Sequence, residues 1–69
     1  MKKYTFDPTK LTVQDNAKAN LVIEKLKDLQ DKGLLTKSEI LWYLSDQLVE
    51  KIGRDKAIEV YTNIVHIFI

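Results

Sequence analysis

A chain of 69 residues has room for one domain, and at this size folding buries only ~60% of the surface that the unfolded chain exposes. With no cysteine there are no disulfides and no thiolate metal sites to supplement so small a core, which leaves association with a partner as the available supplement. The 45% hydrophobic and 30% charged residues describe a folding chain, neither disordered nor membrane-like, and 11 basic against 10 acidic side chains give a net charge of +1, too little to steer toward nucleic acid or anionic lipid.

Residues 1–11 carry the only proline. Lys3, Tyr4, Thr5 and Phe6 form a β-type run ahead of Asp7-Pro8, a pair that favours a turn, so an extended arm with the makings of a short strand is expected here. Lys2 and Lys3 are followed by no apolar run, so no secretory signal is read, and the cytoplasm is the expected location.

Helix one is expected over 12–32. Thr12 is placed to cap it, with Asp15 where a capping box prefers Glu or Gln. Ala19, Val22, Ile23, Leu26 and Leu29 recur at helical spacing within an arc of about 120°, enough to bury one face. Lys18, Lys25 and Lys32 align at intervals of seven, but Glu24, Asp28 and Asp31 interleave with them, which predicts a solvated mixed-charge surface rather than a phosphate track.

Gly33 supplies the left-handed stop, Leu34-Leu35 fill the corner, and Thr36-Lys37-Ser38-Glu39 is a full capping box for helix two, expected over 37–52. Ile40, Leu41, Leu44, Leu48 and Ile52 make its core stripe, and Gly53 stops it. Trp42 and Val49, seven residues apart, lie outside that stripe and widen the apolar arc to about 200°, so either a second neighbour packs there or the patch is exposed.

Helix three is expected over 55–66, with Ala57, Ile58, Tyr61, Ile64, Val65 and Phe68 in one stripe and Val60 and Ile67 extending it, again to about 200°. Glu59, Thr62, Asn63 and His66 form the polar face. The β-branched content leaves a second reading for residues 65–69, a strand paired with residues 3–6. The stretch from Ala57 to Ile69 is interrupted by polar residues and is shorter than the ~20 residues of a bilayer span.

The common catalytic constellations have no candidates here. One histidine, His66, two serines and no cysteine do not make a nucleophile, base and orienting group, and a lone imidazole does not hold zinc tightly unless neighbouring carboxylates or another subunit supply the missing ligands. Gly33 and Gly53 each follow a helix and fit as stops rather than phosphate cradles. No catalytic residue, metal site, cofactor or small-molecule substrate is expected, and the chain is read as not an enzyme.

Trp42 is the most informative side chain, because tryptophan is enriched among the anchors of protein interfaces. Its alternative role is to fill the chain's own core. A helix-turn-helix reading lacks the several basic or amide side chains its recognition helix needs, since helix three presents Glu59, Thr62, Asn63 and His66 in a narrow polar strip, with Arg54 and Lys56 only at its start.

The stretch Ile23 to Ile52, with Leu26 and Leu29, then Gly33-Leu34-Leu35-Thr36 and Glu39, resembles the short helical hairpins of SHOCT type found near the ends of many bacterial proteins. It covers less than half the chain and departs from that pattern at Ile40 and Trp42-Tyr43, where those hairpins have an aromatic residue just after the capping glutamate and a lysine-rich second helix. The resemblance implies an oligomerisation or interaction role.

The expectation is therefore a mainly α, three-helix bundle with an extended N-terminal arm. Its expected role is that of a protein-interaction module, a small regulator or inhibitor of phage or plasmid type, bound to another protein or to itself as a homodimer through Trp42, Val49, Val60, Ile64 and Ile67. The alternative is a dimeric nucleic-acid-binding transcriptional regulator using Lys2, Lys3, Arg54 and Lys56.

Overall fold

The computed structural model describes residues 4–69. Three helices follow one another, α1 (Val13–Asp31), α2 (Lys37–Ile52) and α3 (Arg54–Ile64), and a 3-10 helix (Val65–Phe68) continues the last of them. Both expected capping boxes form. Thr12 accepts from the Asp15 amide while Asp15 accepts from the Thr12 amide, and Thr36 and Glu39 repeat the arrangement at the start of α2. Each box satisfies two of the amides that a helix start leaves without partners.

The two glycines end helices in different ways. Gly33 has φ 70°, its N–H donates to the Gln30 carbonyl, and the Leu34 N–H donates to the Leu29 carbonyl, the double closure of a Schellman turn. Gly53 has φ 88° and ψ 163°, a region essentially restricted to glycine. It is at once the last cap of α2 and the first cap of α3, so the chain reverses there on a single residue.

α2 lies in the middle, packed against α1 on one side and α3 on the other. Its stripe of Ile40, Leu44, Leu48 and Ile52 meets Ala19, Val22, Ile23 and Leu26 of α1 and Ala57, Val60 and Ile64 of α3 in one core. This rotates α3 relative to the expected stripe: Val60 is fully buried, whereas Ile58 is 59% exposed. Continuity of the expected stripe to Phe68 required an α-helix throughout. The chain winds into a 3-10 turn from Val65, and Phe68 reaches the core from it beside Ala57 and Ile64 of that stripe, while Tyr61 and Val65 are half-buried.

The expected arm is not a free one over its described part. Phe6 and Leu11 are core residues, and the Lys10 and Leu11 amides both donate to the Asp7 carbonyl in a turn. No strand occurs among the described residues, and Lys3, one member of the expected strand, lies outside them. The backbone groups that would have paired are taken by side chains of α1. Tyr4 N–H donates to Asn20 Oδ1 and Phe6 N–H to Asn16 Oδ1, while both asparagine amides donate to the Tyr4 carbonyl. At the other end of α1, Lys27 Nζ donates to the Ile67 carbonyl at 3.1 Å and Gln30 Nε2 to the Phe68 carbonyl at 2.7 Å. Lys27 also lies 5.9 Å from the centroid of the Phe68 ring, within cation–π range.

Candidate interaction surface

An open groove of about 450 Å³ runs between α1 and α2. Two stripes at i, i+4, i+8 spacing bound it, Leu21, Lys25 and Leu29 on α1 and Tyr43, Gln47 and Lys51 on α2, with Val22, Leu26 and Leu35 completing the lining. Residues so spaced stand one above another on a helix, which is why each helix offers a continuous wall beside its buried stripe. Val22 and Leu26 are buried, Leu29 and Leu35 are half-buried, and Leu21 stands 68% exposed. Lys25 and Lys51 are the only charged residues in the lining, and neither takes part in an ion pair among the described residues.

The apolar surface does not stop at the groove. The Tyr43 ring meets the Trp42 indole edge-on, with centroids 5.1 Å apart and planes at 79°, and Trp42 is 64% exposed. Val49, two turns further along the same line of α2, is 42% exposed. Large apolar side chains left in water over neighbouring positions are characteristic of surfaces that meet another molecule.

Of the five residues expected to contact a partner, Trp42 and Val49 are thus on the surface. Val60 and Ile64 are corrections: at 0% and 2% exposure they belong to the core, because α3 turns that face onto α2. Ile67 is half-buried and packs against the core from the 3-10 helix. The groove itself escapes the sequence reading. Leu21 lies outside the core stripe of α1, and its alignment with Lys25 and Leu29 was the available signal.

The residues of the nucleic-acid alternative do not form a patch among the described residues. Lys2 and Lys3 lie outside them. Lys56 donates to Asp15 at 2.5 Å, and Lys10 pairs with Glu59 at 3.1 Å, leaving Arg54 exposed at the start of α3. The Lys56 ammonium, with the Thr12 amide, holds the Asp15 carboxyl below its usual range, and the Thr36 amide does the same for Glu39. His66 is exposed, and no group of three or more His, Asp or Glu side chains suited to a metal ion occurs among the described residues. No helix among them is long and apolar enough to cross a membrane.

Comparison of the chain with protein-family models, with curated proteins and with solved structures finds no match.

Proposed function

We propose that this chain is a non-enzymatic protein-interaction module, a small regulator or inhibitor that acts by binding another protein, itself or both. The observation that carries the reading is the continuity of exposed apolar side chains from Leu21 in the groove, across Tyr43, to Trp42. A tryptophan 64% exposed on a helix that also walls a groove is a surface whose burial is favourable once a partner supplies the other side. A nucleic-acid-binding regulator is the weaker reading, because Lys56 is committed to Asp15.

A photo-crosslinking residue placed at position 42 or 21, in the cell that makes the chain, tests this. Discrete adducts are expected from those two positions, either at the mass of a dimer or with one larger protein, and none from Thr62 on the polar side of α3. A folded chain that gives no adduct from either position overturns the reading.

A further inference from the structure

The charges around the groove narrow the kind of partner. Its walls are apolar, yet the ionic groups that line it are both ammonium groups, Lys25 on one helix and Lys51 on the other, and neither is neutralised by an ion pair among the described residues. Resting on the interaction reading above, we propose that the groove docks an amphipathic segment of a partner protein whose apolar side chains enter between Leu21, Leu29, Leu35 and Tyr43 and whose flanking residues are Asp or Glu.

Complementary charge at the rim of an apolar site speeds encounter and penalises wrong partners more than it adds affinity. A second copy of this chain docked through the same groove about a two-fold axis would bring the lysines of one groove toward those of the other, an arrangement of like charge. A partner with basic flanks meets the same repulsion. Gln47, between Tyr43 and Lys51, adds a neutral donor and acceptor for the partner's backbone or side chains.

The test is selection from a phage-displayed library of random 16-residue peptides on the full chain, with the winning sequences mapped by amide shifts on the isotope-labelled protein. Expected are peptides with apolar residues at helical spacing and acidic flanks, shifting Leu21, Leu29, Leu35 and Tyr43. Exchange of their acidic residues for lysine should weaken them at least tenfold, and the Lys25→Glu, Lys51→Glu double variant should reverse that preference. These two side chains are exposed, so the double variant keeps its fold, checked by circular dichroism.

Peptides that enter the groove with no acidic preference overturn the charge selection while leaving the interaction reading in place. Peptides that map elsewhere, an absence of enrichment, or shifts of the same residues by dodecanoate alone overturn the proposal itself, and the crosslinks from positions 42 and 21 then report independently on whether the chain binds proteins.

Discussion

The side-chain amide of Asn20 pairs with the backbone of Tyr4 on both sides: Tyr4 N–H donates to Oδ1 at 2.6 Å, and Nδ2 donates to the Tyr4 carbonyl at 2.8 Å. One asparagine therefore supplies the two hydrogen bonds that a neighbouring strand would have supplied, and it holds the segment that delivers Phe6 to the core. Net contributions of hydrogen bonds run at about 1 kcal/mol each, so Asn20→Ala should lower stability by ~1–2 kcal/mol. Urea unfolding gives the magnitude, and amide exchange should accelerate at Tyr4 and Phe6 ahead of the helices. An unchanged urea midpoint with unchanged exchange would show that the segment is held by apolar packing alone.

Gly53 offers a clean test of backbone conformation. A Cβ built there meets nothing within 4 Å, so the whole effect of Gly53→Ala comes from φ 88° with ψ 163°. Holding a non-glycine residue in that region costs about 1–3 kcal/mol. Gly33, at φ 70° and equally unobstructed, lies in a milder left-handed region, and Gly33→Ala should cost about 1–2 kcal/mol. Thermal unfolding of both variants should rank Gly53→Ala as the more destabilised, and the reverse order would mean that the turn between α2 and α3 relaxes to another conformation.

Acid should weaken the fold through its helix starts. Asp15 is held below its usual range first by Lys56 and then by the Thr12 amide, and Glu39 by the Thr36 amide. A carboxyl depressed in the folded state adds stability that is complete above its unfolded value and is lost as pH falls through the folded one. With unfolded values of about 3.9 for Asp and 4.3 for Glu, the urea midpoint should decline from about pH 5 downward. The double variant Asp15→Asn, Glu39→Gln should start lower at neutral pH and decline less. An equal slope in both proteins would assign acid sensitivity to other carboxylates.

Truncations at Trp42 and Ile64 should separate surface from core. Ile64, 2% exposed, should cost ~2–5 kcal/mol on replacement by alanine. Trp42→Ala should move stability by no more than about 0.5 kcal/mol, as for exposed positions generally, while abolishing crosslinks from position 21. Comparable destabilisation by both would place Trp42 in the folding core rather than on a docking surface.

Local chemistry was readable from residues a few positions apart. The capping boxes Thr12/Asp15 and Thr36/Glu39 and the stops at Gly33 and Gly53 satisfy backbone groups of their own helix ends, so their consequences do not depend on the rest of the chain. The same holds for the stripe of Ile40, Leu44 and Leu48, whose spacing forces one face, and for the surplus position of Trp42 outside it.

The tertiary arrangement decided matters that no local pattern contains. α3 carries apolar residues over so wide an arc that several rotations bury similar area; packing against α2 selected the one with Val60 inside and Ile58 out. Nothing in the local pattern marks Asn16, Asn20, Lys27 or Gln30, because a side chain's hydrogen bond to backbone 10 to 40 residues away leaves no periodic trace. The groove is likewise a property of two helices: Leu21–Lys25–Leu29 and Tyr43–Gln47–Lys51 become the walls of one site only when the turn at Gly33 sets α1 beside α2.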